Sequence, residues 1–237
     1  MNEWGRVSSE DVQVLVAATR ELQIRSRGNR WAHLSLCVLD ARYSINARYG
    51  SVVRVCHRYA DHVDLTERLL PATDIARGLG PQHEEDIATF VALGHRLGPD
   101  RLANEVLANR GRTSTRGGIL KADAALRYAA ILTNAQVRRL GDVSNLLANP
   151  DALATVEKAL RTVPGHGNGA RLSYLWMLTG DDENIKPDRM VLRWTSNHLG
   201  PAVSVSEARA LLPQIANHLS CTPWELDNAI WRRQSGK

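Results

Sequence analysis

Two stretches of this chain carry residue types at spacings that could do chemistry. The first is Val163-Pro164-Gly165-His166-Gly167, a tight glycine turn between helical patterns over 151–163 and 168–178. Glycines let the backbone turn sharply and leave bare N–H groups outward. A helix that starts at such a turn adds its N-terminal amides and the positive end of its dipole. The result is a site for an anion of phosphate size, which Arg171 and a basic loop at 110–116 would strengthen. A plain helix–helix connection with a glycine C-cap has the same appearance. The second stretch is Lys186-Pro187-Asp188, at the head of the next helical pattern. Pro187 turns Lys186 away from helix, so Asp188 falls at or just before the first turn. A carboxylate there serves as an N-cap, or faces a cleft where it stabilises a developing cation or polarises a water.

A third set is weaker. Asp40, Tyr43, Ser44 and Asn46 interrupt an otherwise apolar helical pattern that begins near Trp31. They read either as a solvated helix end or as the polar wall of a pocket. Tyr174 or Trp176 would stand opposite; Trp176 shares its spacing with Leu172 and Leu175 and reads as core. The segment Asn109 to Gly118, NRGRTSTRGG, is basic, hydroxyl-rich and glycine-punctuated. That composition suits a surface loop and also suits phosphate contacts.

The elements that must position these residues read as helices throughout. Amphipathic spacing marks helices near 10–24, 34–47, 52–59, 84–97, 101–110, 119–130, 136–149, 151–163, 188–199, 206–219 and 225–233. Asp151 reads as the N-cap of the helix before the turn, Ser204 or Ser206 opens EARALLPQIANHL, and Thr222-Pro223-Trp224-Glu225 opens the last helix. No strand run, hairpin signal or repeat at a solenoid period stands out. The expected fold is therefore all-α, about ten helices. Two lobes are expected, one from 1–60 with 180–237 and one from 61–179.

The chain has 237 residues, enough for a buried core, with 30 Lys and Arg against 25 Asp and Glu, a net charge of +5. That balance suits a polyanionic partner, and the predominance of Arg favours forked contacts to phosphates. Cys37, Cys56 and Cys221 are scattered, which argues against a disulfide framework, a zinc site or a cluster. No leader pattern or apolar run of membrane-spanning length occurs, so a cytoplasmic protein is expected.

Taken together, the pieces resemble the helix–hairpin–helix DNA glycosylases, the superfamily of endonuclease III, adenine glycosylase and the alkyladenine glycosylases. In that family a Leu-Pro-Gly-Val-Gly hairpin precedes a helix, and further on an Asp opens the next helix, followed by an Arg and a Leu-Gly ending. Here these are Val163-Pro164-Gly165-His166-Gly167, Asp188, Arg193 and Leu199-Gly200. Upstream, Leu120-Lys121-Ala122 and the stretch from Leu34 to Tyr59 are similar to family helices in a looser way. The specific similarity is confined to 160–200.

The resemblance implies a two-lobed fold with the active-site cleft between the lobes, double-stranded DNA as partner, and a monomer. It implies that Asp188 is the catalytic aspartate. Gly165, His166, Gly167, Asn168 and Gly169 would grip phosphate, with Arg116, Lys121, Arg171 and Lys186 as further DNA contacts. Trp31, Asp40, Tyr43, Asn46 and Tyr174 would line the base pocket. In relatives the hairpin carbonyls also hold a monovalent cation. Gly169 stands where bifunctional relatives carry an imine-forming lysine, which implies base hydrolysis without strand cleavage. The four-cysteine motif of many relatives is missing, so no iron–sulfur cluster is expected. The implied activity is removal of a flipped-out modified base to leave an abasic site. Candidate substrates run from a damaged or mismatched base to a hypermodified cytosine of phage DNA, such as glucosylated hydroxymethylcytosine. A non-catalytic DNA-binding module and an all-α adaptor are the competing classes.

Overall fold

The computed structural model describes residues 8–72, 79–80, 82–165, 170–200 and 202–236, with the side chains of Ala170 and Arg171 excepted. Eleven α-helices occur among the described residues. They are α1 (Ser9–Ala18), α2 (Leu34–Tyr43), α3 (Tyr49–His62), α4 (Ile87–Arg101), α5 (Lys121–Asn134) and α6 (Leu140–Leu147), then α7 (Pro150–Arg161), α8 (Ala170–Leu178), α9 (Arg189–Leu199), α10 (Val205–His218) and α11 (Pro223–Ser235). The fold class is all-α, as the periodicity implies. The exception is a pair of three-residue strands, β1 (Asn29–Trp31) and β2 (Leu69–Pro71), antiparallel with Arg30 opposite Leu70. Strands this short carry no period-two signal.

The chain divides into two compact units, a terminal unit of Met1–Arg27 with Asp181–Lys237 and a middle unit of Gly28–Gly180. The division falls earlier than the sequence pattern suggests, since α2 and α3 belong to the middle unit. The reason is α2 itself. All 10 of its residues are buried, and a helix enclosed on every side must sit at the centre of a core. Leu34, Leu36, Val38 and Leu39 of α2 share one apolar cluster with Val55 of α3, Phe90 of α4, Tyr128 of α5 and Leu175 of α8. Within this unit α4 breaks at Gly98, whose φ of 74° and ψ of 160° lie outside the helical region. Pro99 follows, and the chain continues as a π-helical turn, Leu102–Val106, in place of the expected separate helix.

The terminal unit has its own core of Val12, Leu15, Val191, Trp194, Leu211, Leu212, Ile215, Leu226 and Ile230. Its helix starts are well specified. Ser8 and Asp11, Ser204 and Glu207, and Thr222 and Glu225 each form a reciprocal capping box. Arg27 stacks 4.0 Å over Trp224 and pairs with Asp182 at 2.7 Å, which ties the end of the N-terminal segment to the start of α11. In the middle unit, α7 is capped by Asn149, with Pro150 in its first turn; Asp151, expected at the cap, lies inside the helix. Pro150 takes the first helical position, so the cap falls on Asn149, two places before Asp151.

Candidate nucleic-acid interface

The turn after α7 is built from the inside of the middle unit. Gly165 adopts φ +86°, open to glycine and costly for other residues. Arg42 of α2, wholly buried, donates from Nη2 to the Pro164 carbonyl at 2.7 Å. Its guanidinium also lies 4.3 Å over the Tyr128 ring of α5. A Cβ added to Gly165 would come within 2.5 Å of the Thr113 Cβ and 3.2 Å of Arg42 Nη2. Glycine is thus required twice, for its backbone angle and for close approach. His166, Gly167, Asn168 and Gly169, the rest of the expected hairpin, lie outside the described residues, as does the side chain of Arg171. The carbonyls of 166–169, where a monovalent cation would sit, fall in the same gap.

Thr113 belongs to the basic loop, so that loop and the elbow are neighbours. The loop is pinned at its base. Thr113 N–H donates to the Ile119 carbonyl at 2.9 Å and Lys121 N–H to the Gly111 carbonyl at 2.8 Å. Arg112 Nη1 donates to the Gly118 carbonyl at 2.7 Å. At the tip, Ser114 Oγ accepts from the Arg116 N–H at 3.1 Å, a local turn that Ser favours. Arg116 is exposed, and its guanidinium has no partner among the described residues. This places Arg116 where a phosphate could meet it.

Lys121 does not belong with it. The residue is buried, and its Nζ donates to the carbonyls of Tyr43 at 3.1 Å and Ile45 at 2.5 Å. These lie at and just past the C-terminal end of α2, where orphan carbonyls attract a cation. Lys121 is therefore scaffold, and its sequence position at the start of α5 gives no hint of that.

Of the five expected pocket residues, three meet. Asp40, fully buried on α2, accepts from Trp31 Nε1 at 2.8 Å and from the Tyr174 hydroxyl at 3.0 Å. A fourth residue, Tyr49 at the head of α3, donates to the same carboxylate at 3.3 Å. Tyr49 is partly exposed, so one member of the cluster lies at the surface. Burial, and after it the Asp40 charge, holds the Tyr174 hydroxyl well above its usual range, so it remains a donor. Sequence reasoning passed over Tyr49 because Gly50 beside it marks a break. Tyr43 and Asn46 are not in this group. Tyr43 donates instead to the Asn109 carbonyl at 3.3 Å, because α2 is enclosed and successive positions serve different neighbours. Asn46 is exposed with φ +47°, a turn conformation Asn tolerates well.

Asp188 lies in the terminal unit and is half-buried. Its Oδ1 accepts from the N–H groups of Met190 at 2.7 Å and Val191 at 3.3 Å, so it is the N-cap of α9. Among the described residues, Oδ2 makes no hydrogen bond. The loop that presents it is held by a residue not singled out from the sequence. Asp227 of α11, 5% exposed, accepts from the Lys186 N–H at 2.7 Å. Burial holds the Asp227 carboxyl above the usual carboxylate range; the Lys186 hydrogen bond opposes this, and the Asp188 charge adds to it. The signal was present, since Asp227 shares the buried face of α11 with Leu226 and Ile230. Arg193 joins α9 to α11, donating from Nε to Gln234 Oε1 at 2.7 Å.

Among the described residues no three His, Cys, Asp or Glu side chains converge as a metal site, and no helix is long and apolar enough to cross a membrane. No curated protein and no solved structure matches this chain. Residues 10–235 match the model of a family described as a domain of unknown function (DUF8548), and the chain belongs to that family.

Proposed function

We propose that this protein is a monofunctional DNA glycosylase that hydrolyses the N-glycosidic bond of a flipped-out modified base, and that its two units are the lobes of a helix–hairpin–helix glycosylase fold. The observation that carries the reading is the Gly165 elbow, braced from within by Arg42 and packed on Thr113 of a basic loop whose exposed Arg116 has no side-chain partner among the described residues. Backbone amides and arginines at one place suit phosphates and carry no sequence information, which is what a strand grip needs. The Trp31–Asp40–Tyr49–Tyr174 cluster supplies aromatic faces and hydrogen-bonding groups of the kind that read an extruded base. Asp188, oriented through Oδ1, has Oδ2 for the sugar, where a carboxylate stabilises an oxocarbenium-like state and directs a water. With no lysine in the hairpin, the product is an abasic site. Hypermodified cytosine of phage DNA is the substrate we put first, and a damaged or mismatched base second.

The N-cap geometry of Asp188 favours a second reading, a DNA-binding module without chemistry. One assay separates the two. The protein is incubated with duplexes carrying damaged, mismatched and phage-type bases, then treated with hot alkali. Strand breaks that appear only after alkali, and vanish in Asp188→Asn, support the glycosylase. Binding with no alkali-labile site on any substrate supports the module.

A further inference from the structure

The terminal unit carries a basic feature of its own. A cavity of about 320 Å³ opens on it, lined by Glu21, Gln23, Arg25, Ala229, Arg232 and Arg233. Three guanidinium groups face one carboxylate. That carboxylate is already engaged, since Arg233 Nη2 donates to Glu21 Oε2 at 3.1 Å and this contact holds Glu21 below its usual range. Arg25 and Arg232 have no carboxylate partner among the described residues. Arg25 is bonded only to the side chain of Gln23, and Arg232 Nη2 only to the Gln23 carbonyl at 2.5 Å. Arg232 Nε is screened from solvent and has no partner among the described residues. The dipole of α11 explains basic residues in its last turn, Arg232 and Arg233. It does not explain Arg25, which comes to the same cavity from the N-terminal segment.

Two guanidinium groups without a carboxylate partner among the described residues line one concavity, which favours an anion there. Planar guanidinium forks match the paired oxygens of phosphate as they do those of a carboxylate, and the chain's net charge of +5 suits a polyanion. We propose that this cavity is a phosphate site, with Arg25 and Arg232 as its fork, and that its occupant is a backbone phosphodiester of nucleic acid. The choice of occupant rests on the glycosylase reading; the phosphate chemistry does not.

The test compares full-length protein with Arg25→Gln/Arg232→Gln and with Arg101→Gln, an exposed arginine ion-paired on α4, as a charge control. Affinity for an undamaged duplex is read by fluorescence anisotropy over a salt series. The plot of log affinity against log salt should lose about 0.9 of its slope in the double variant, the share of one phosphate, and none in the control. In parallel, inorganic phosphate is titrated against the thermal midpoint of each protein. If phosphate stabilises the wild type but not the double variant while the duplex slope is unchanged, the site holds and the nucleic-acid occupant is overturned. A wild type that does not bind duplex overturns that occupant as well. If neither phosphate nor duplex distinguishes the variant, the proposal fails. Arg25→Gln alone, which touches only the Gln23 side chain, repeats the measurement should the double variant misfold. Base release is not read in this experiment, so a protein that senses phosphate here yet yields no abasic site sinks the glycosylase reading alone.

Discussion

Arg42 Nη2 and the Pro164 carbonyl meet at 2.7 Å across 122 residues of sequence, and this bond makes the elbow part of the core. A buried guanidinium is expensive unless it is well partnered. Here the partner is the backbone of the turn proposed to hold DNA. Arg42→Met, which keeps bulk and loses the donors, should weaken duplex binding to all sequences alike and lower stability by about 2 kcal/mol. Chemical denaturation and anisotropy on two unrelated duplexes check this. Loss of affinity for only one of them would contradict a phosphate grip.

Gly165→Ala meets both obstacles at once, the positive φ and the Thr113 Cβ at 2.5 Å. The expected cost is about 2 kcal/mol, with duplex affinity falling in parallel. Adding Thr113→Gly removes the contact but not the backbone strain, so it should restore part of the loss. No restoration at all would mean that the loop and elbow are not coupled through this pair.

Asn caps a helix about as well as Asp, so Asp188→Asn should leave the thermal midpoint close to wild type while base release falls by at least about 100-fold. Asp188→Ala should lose both, with roughly 1 kcal/mol of stability gone with the cap. Single-turnover alkali assays and calorimetry on the two variants read these separately. An active Asp188→Asn protein would leave the residue only its capping role.

The Asp40 cluster separates structure from specificity. Asp40→Leu removes the carboxylate that three donors share, and a cost of about 3 kcal/mol follows. Tyr174→Phe removes one donor for about 1 kcal/mol. If the cluster reads the base, Tyr174→Phe should change the ranking of substrates in the alkali assay. An unchanged ranking with the same stability loss would make the cluster core alone.

Burial raises Glu84 from 4.5 to about 7, although its Oε1 accepts the Leu140 N–H at 2.6 Å. The folded state therefore holds a proton that the unfolded state has released between those two values. Stability contributed by this group is present at low pH and is lost as pH rises through the window, by at most about 1.4 kcal/mol per pH unit. Glu84→Gln keeps an acceptor for Leu140 and cannot titrate. The difference in unfolding free energy between wild type and variant should shift with pH in that sense, and a flat difference would count against the burial effect.

The helices were legible because their signals are local. Ser8 with Asp11 and Thr222 with Glu225 announce helix starts within four residues, and the glycines and proline at 164–167 announce a turn. Asp188 stands out for the same reason, one place after Pro187 and at the head of an amphipathic pattern. What could not be read was the destination of each polar side chain. Arg116 at the tip of the glycine-rich loop and Lys121 just after it are both basic, yet Lys121 is spent on the carbonyls at the end of α2 and Arg116 is exposed. Asp40 looks like an interruption of an apolar helix, yet it gathers three donors, and Arg42 two places on braces the elbow. Asp227 resembles any acidic residue on a helix until it is found under the Lys186 amide. By itself the sequence determined which segments are helical and where they stop, since capping, periodicity and turn chemistry act over a few residues. Only the tertiary structure decided which charges are buried and what they hold, because that depends on donors and acceptors brought together from separate elements, 41 residues apart for Asp227 and Lys186 and 122 for Arg42 and Pro164.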